Sequence, residues 1–83
     1  MKLDFVKYSP EDQVLSGWSI IPSGDWRKDC DTGAGYAVDM IQYLKTSGNL
    51  PFFSRVVKDS TNDPSGVSAG FLAHIGLFLA TIA

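Results

Sequence analysis

The chain has 83 residues and a formal net charge of −2, a length that suits one small domain. Its seven Lys and Arg residues are scattered, and only Arg27 and Lys28 adjoin, so the sequence lacks the basic face typical of direct nucleic-acid binding. With one cysteine, Cys30, and one histidine, His74, we expect no internal disulfide, no metal site and no cofactor. Residues 1–4 lead into no apolar stretch, so we expect a cytoplasmic protein without a signal peptide.

The N-terminal quarter of the chain predicts a strand–helix–strand entry. Residues 2–8 alternate between apolar and polar side chains, as a short strand does. Ser9 and Pro10, followed by two acidic residues, are typical of a helix start, and Gly17 predicts that this helix is short. Residues 18–21 then predict a second short strand.

The segment 25–31 mixes acidic and basic residues with one tryptophan and the lone thiol, which predicts an exposed loop. Tryptophan and arginine are the residue types that most often anchor protein interfaces. For Trp26 a place in the core is an equally good interpretation, and for Trp18 the core is favoured. The candidate partner-binding residues are Asp25, Trp26, Arg27, Lys28 and Asp29.

A cation site is the alternative function of this segment. Asp25, Asp29 and Asp31 carry oxygen ligands, but their spacing is not that of an EF-hand and no later Glu closes the loop. A solvated acidic loop is the better interpretation.

Two helices are predicted in the middle of the chain. Asp31 or Thr32 is expected to cap the first, and apolar residues recur at helical spacing over residues 37–44. Gly48 is expected to end this helix in the left-handed conformation. Residues 50–51 open the second helix. Its predicted apolar face consists of Phe52, Phe53, Val56 and Val57.

Residues 67–83 contain no Asp, Glu, Lys or Arg and predict a helix over about residues 65–82 at the centre of the fold. Asp63 is expected to cap this helix and Pro64 to begin it. A membrane anchor and a buried strand over residues 74–79 are the alternatives. A strip of small residues is expected to meet either the helix containing residues 40–44 or its own copy in a homodimer. The strip consists of Ala69, Ala73, Gly76 and Ala80.

The predicted fold class is α+β and mostly helical, in a single domain of residues 1–83. A strand–helix–strand entry is followed by three helices, of which the last is central.

Cys30 and His74 are the only obvious pair of nucleophile and base. Asp29-Cys30 before a helix, with His74 opening the run H-I-G-L-F-L, resembles the small cysteine peptidases of the NlpC/P60 type. That resemblance implies a thiolate at a helix N-terminus, where the helix dipole lowers the pKa of the cysteine. The small residues that follow the family's cysteine are replaced here by Asp31 and Thr32, and no residue is identifiable as the group that orients His74. A Cys–His hydrolase is therefore kept as an alternative function.

A second resemblance covers roughly residues 32–76. The run T-G-A-G-Y-A-V-D-M-I-Q-Y-L-K-T-S-G-N-L-P-F-F-S-R-V-V-K-D, followed by G-V-S-A-G-F-L-A-H-I, resembles small uncharacterised proteins of phages and prophages. As a class these resemble phage accessory factors such as anti-CRISPR proteins, which block a host defence complex by occupying its surface. The resemblance implies a non-enzymatic protein–protein interaction module and a host complex as the partner. A structural homo-oligomer formed through the last helix is a further alternative.

Overall fold

The computed structural model describes residues 3–82 of the chain, except for the side chain of Ile82. The predicted class is confirmed, since an N-terminal two-stranded sheet is followed by three helices that make the fold mostly helical. Lys2, placed in the first predicted strand, lies outside the described residues. The elements are β1 (Lys7–Tyr8), β2 (Val14–Ser16), α1 (Trp26–Ser47), α2 (Leu50–Ser60) and α3 (Gly66–Ile82).

The N-terminal entry is a β-hairpin, so the helix predicted after Ser9 is wrong. β1 and β2 pair in antiparallel orientation, with Lys7 opposite Ser16. The Ser9 hydroxyl accepts hydrogen bonds from the backbone N–H groups of Glu11 (3.2 Å) and Gln13 (3.1 Å), which closes the turn. Ser9 and Pro10 thus serve a turn here, because the same side-chain-to-backbone bonds that cap helices also stabilise turns.

The second strand of the hairpin precedes the stretch predicted for it. Residues 18–21 form no strand and run past the hairpin as an irregular segment. The Ser19 N–H donates to the Phe5 carbonyl oxygen at 2.8 Å, which ties this segment to the first residues of the chain. The prediction failed because strand pairing depends on a partner and not on local alternation alone.

Helix α1 begins six or seven residues earlier than predicted, so the loop expected over residues 25–31 is wrong, although most of these residues are exposed as expected. The Asp25 carboxylate accepts from the Lys28 N–H at 3.2 Å and caps the helix. The end of α1 is as predicted. Gly48 has a φ of 66° and its N–H donates to the Leu44 carbonyl oxygen at 2.8 Å.

The starts of α2 and α3 follow local signals. The Asn49 side chain accepts from the Phe52 N–H at 3.2 Å, and α2 begins at Leu50 as predicted. α3 begins at Gly66, after the predicted Pro64. Asp63 accepts from the Ser65 N–H at 2.9 Å, so it stabilises the turn before α3 and does not cap the helix itself.

The backbones of α1 and α3 approach each other closely at three glycines. A Cβ atom on Gly33 would fall on the Val67 carbonyl oxygen, and one on Gly70 would fall on the Cys30 carbonyl oxygen. Gly66 lies against the Trp26 carbonyl oxygen, where a Cβ would be 2.8 Å away. The order of these contacts shows that α1 and α3 run parallel, side by side from their first turns.

Three of the four residues of the small-residue strip face solvent, which corrects the expectation that the whole strip meets α1, while Ala69 is half-buried. Ala73, Gly76 and Ala80 are exposed, and a Cβ on Gly76 would have nothing within 4 Å. Gly70, which follows Ala69 in the sequence, makes the contact with α1 instead. The homodimer through α3 stays a prediction.

An aromatic cluster joins the N-terminal segment to α1 and α3. Phe5 is fully buried, and its ring lies 5.1 Å from Tyr36 and 5.5 Å from both Trp18 and Phe71, measured between ring centroids. The Trp18 ring centroid lies 4.8 Å from that of Phe71, so Trp18 packs against the core as favoured, although it is only half-buried. Leu3 and Val6 are also buried and extend the cluster. The N-terminal segment therefore shares one core with the three helices.

Substitution of a contact glycine should separate the two parallel helices. Gly33→Ala places a methyl group against the backbone of α3, and we expect it to lower the free energy of unfolding by about 1–3 kcal/mol or more. Gly35→Ala is the matched control, because a Cβ there meets nothing within 4 Å and alanine favours a helix by ~1 kcal/mol. Urea denaturation of both variants measures the difference. Equal stability of the two variants would contradict the close approach of α1 and α3.

Candidate protein-interaction site

The five predicted partner-binding residues lie at the start of α1. Trp26 is its first residue and is 61% exposed. Arg27 and Lys28 follow it and are exposed, and Asp25 precedes it as the cap. Ile21, in the segment leading to the helix, is 95% exposed and was missed by the sequence analysis. We call Ile21, Asp25, Trp26, Arg27 and Lys28 the Trp26 surface.

Asp29 is set apart from the other four predicted residues. It is buried, and its Oδ1 accepts from the Ser23 hydroxyl at 2.7 Å and from the Ser23 N–H at 3.0 Å. The Asp25 N–H in turn donates to the Ser23 hydroxyl at 3.2 Å. Asp29 therefore holds the segment that leads into α1, and it presents no carboxylate to a partner.

The sequence left open whether Trp26 is a core residue or an interface anchor, and its position has features of both. A Cβ on Gly66 would lie 3.3 Å from Cε3 of the Trp26 ring, so one edge of the indole rests on the start of α3. The rest of the ring faces solvent. A large aromatic side chain held along one edge loses little conformational entropy when a partner covers it. This geometry suits an interface anchor.

Hydrogen bonds keep two carboxylates charged at this end of the molecule. The bonds from the Ser23 hydroxyl and backbone N–H hold the pKa of Asp29 below its ordinary value of 3.8. For Asp63, burial raises the pKa, but the bonds from the Trp18 indole N–H (2.8 Å) and from Ser65 outweigh it, so the pKa is also lowered. Both carboxylates lie near the N-termini of α1 and α3, where the helix dipoles favour negative charge.

Beside Asp63 a wide polar cleft of about 380 Å³ opens to solvent. Asp59 lies in its wall and accepts from the Gly17 N–H at 3.0 Å while also lying 3.8 Å from the Arg55 guanidinium. These carboxylates dock the hairpin onto the junction of α2 and α3. Among residues 3–82, no group of three or more His, Cys, Asp or Glu side chains is arranged to hold a metal ion.

Cys30 and His74 do not occupy the positions that the peptidase resemblance implies. Cys30 lies inside α1, one turn after Trp26, and its carbonyl oxygen packs against Gly70. The first residue of α1 is Trp26, so Cys30 does not lie at the start of a helix. His74 is half-buried on α3, and no hydrogen bond joins it to Cys30 in the part of the chain that the structure describes.

Comparison with protein-family models, with curated proteins and with solved structures gives no match. None of the helices described over residues 3–82 is long and apolar enough to cross a membrane.

The lowered pKa values of Asp29 and Asp63 predict a loss of stability in acid. A carboxylate with a depressed pKa contributes stability that is complete above the unfolded-state pKa and is lost as the pH falls through the folded-state pKa. The free energy of unfolding should therefore decline as the pH falls below about 3.8.

Ser23→Ala tests the part of this effect that belongs to Asp29. Without the hydroxyl donor, the folded-state pKa of Asp29 should rise towards its ordinary value, so the variant should be less stable at neutral pH and show a shallower acid decline. Ser54→Ala, on the exposed side of α2, is the control. Urea denaturation over a pH series measures both slopes, and equal slopes for the two variants would rule out the assigned role of Ser23.

Proposed function

We propose that the protein is a non-enzymatic interaction module that acts in the cytoplasm by occupying a surface of a protein partner. The observation that carries the proposal is the exposure of Trp26 on a well-anchored helix start, beside Arg27 and Lys28. The resemblance of residues 32–76 to small phage proteins supports a proposal for the partner as well. We propose that the partner is a host defence complex, which the protein blocks in the manner of anti-CRISPR proteins.

The chemistry of the Trp26 surface defines the partner surface that fits it. Covering the exposed part of the indole contributes about 3 kcal/mol, at ~25 cal/mol per Å² for a side chain of about 200–250 Å². Arg27 and Lys28 add positive charge at the rim, which speeds encounter with an acidic surface. The expected partner surface is an apolar pocket bordered by Asp and Glu side chains.

A titration of purified CRISPR effector complexes with the protein tests this function. A surface blocker inhibits target binding or cleavage stoichiometrically, reaching completion at about one bound copy per site. A Cys–His hydrolase would inactivate the complexes at substoichiometric ratios and leave a cleaved subunit visible by mass spectrometry. Absence of both binding and inhibition across the effector types would reject the anti-CRISPR assignment.

Trp26→Ala should weaken capture of the partner while leaving the melting temperature nearly unchanged. The side chain is mostly exposed, and surface substitutions of this kind usually change stability by no more than ~0.5 kcal/mol. Leu15→Ala is a matched control, because Leu15 is 54% exposed in β2, outside the Trp26 surface. A large stability loss in Trp26→Ala would make Trp26 a core residue and remove it from the site.

Cys30→Ser should keep full function. The thiol is half-buried in the second turn of α1, and the change from sulfur to oxygen alters no observed hydrogen bond. Circular dichroism confirms the fold of the variant, and the inhibition titration measures its activity. Abolished inhibition by a folded Cys30→Ser protein would favour the hydrolase instead.

A further inference from the structure

At the far end of the parallel helices, an apolar cavity of about 220 Å³ lies between the C-terminal halves of α1 and α3 and the start of α2. No polar atom contributes to its lining surface. The lining residues are Ile41, Leu44, Leu50, Phe53, Ile75, Phe78 and Leu79. Leu50 and Leu79 are largely exposed, so the cavity opens to solvent and its apolar lining is partly accessible.

The size and lining of the cavity favour an alkyl chain over a side chain of a partner protein. A cavity of about 150 Å³ already accommodates a benzene ring, so a single aromatic side chain would leave part of this one empty. If a methylene group takes about the volume of a water molecule, ~30 Å³, the cavity holds about seven of them. A peptide would in addition bring backbone N–H and C=O groups, for which the lining offers no partner.

Lys45 supplies a positive charge at the edge of the cavity, where the negative C-terminal dipole ends of α1 and α3 also lie. Lys45 is the only charged residue within residues 41–53 and 75–79, the two segments that contain the lining residues. Its exposed side chain places Nζ 5.7 Å from the centroid of the Phe78 ring, one wall of the cavity. Leu50, another lining residue, begins α2, whose first turn carries no acidic residue to balance its positive dipole end.

We propose that this cavity binds an unbranched medium-chain fatty acid, with the alkyl chain inside and the carboxylate at Lys45. A second copy of the chain suits the site less well. Two copies meeting through this edge would bring two Lys45 side chains together, with no acidic residue in the same segments to balance them. The site is at the opposite end of α1 from the Trp26 surface and does not depend on the proposed function.

Titration with octanoate, followed by two-dimensional ¹H–¹⁵N NMR, tests the proposal. We expect saturable shifts confined to the amides of residues 41–53 and 75–79. Octylammonium, with the same chain length and the opposite charge, should bind more weakly than octanoate. Octanol has the same chain and no charge, so its affinity measures the contribution of the chain alone. Shifts spread over the whole molecule, no saturable shift, or equal binding of the two ions would overturn the proposal.

Two variants assign the contacts. Lys45→Gln should weaken octanoate binding by about two- to fivefold, as expected for an exposed ion pair, and leave octanol binding unchanged. Leu79→Trp fills the cavity and should abolish octanoate binding, whereas Leu77→Trp, on an exposed position of the same helix outside the lining, should preserve it.

Equal effects of the two tryptophan variants, or no effect of Lys45→Gln on octanoate binding, would reject the site. If Leu79→Trp does not fold, the Lys45→Gln comparison decides alone. Sedimentation without ligand gives the remaining outcome: a dimer that octanoate does not dissociate and that Leu79→Trp disrupts would assign the cavity to a second copy.

Discussion

The parallel contact of α1 and α3 at Gly33 and Gly70 is the constraint on which the rest of the structure depends. Glycine at these positions lets backbone meet backbone, so the two longest helices lie closer than side chains would allow. The aromatic side chains that follow, Tyr36 on α1 and Phe71 on α3, then converge on one side, where Phe5 and Trp18 complete the core. The N-terminal hairpin is placed by this cluster, because a two-stranded sheet is not stable by itself.

Parallel packing also brings the two positive helix ends to one side of the molecule and the two negative ends to the other. Side-by-side dipoles of the same direction repel, and charged residues at the ends offset this repulsion. Asp29 and Asp63 lie at the positive end, and Lys45 lies at the negative end. The same charges define the two candidate sites. Asp29 anchors the segment that presents the Trp26 surface, and Lys45 supplies the cation beside the apolar cavity.

The sequence indicated much of the helical part of the fold and most of the candidate site by residue type. The end of α1 at Gly48 was readable because a left-handed residue acts on its own neighbours, whereas the Asn49 cap of α2 was not predicted. The residue types of the Trp26 surface indicated a cluster of interface anchors. The sequence did not show that these residues begin a helix, because the Asp25 cap depends on Ser23, which Asp29 holds in place. Ile21 gave no signal, since an apolar residue in an irregular segment is as compatible with burial as with exposure.

By itself the sequence determined the class of the fold and the presence of an uncharged last helix. It also determined the C-terminal end of α1 and the start of α2. Only the tertiary structure decided that Ser9 and Pro10 close a hairpin and that Asp29 points inward. It also decided that Gly70 faces α1, whereas Ala73, Gly76 and Ala80 of the strip face solvent. The reason is physical. Caps and turn residues act over three or four positions, so the neighbouring sequence determines them. The face of a nearly uniform apolar helix is chosen by where the other chain segments lie, and that choice is made by packing.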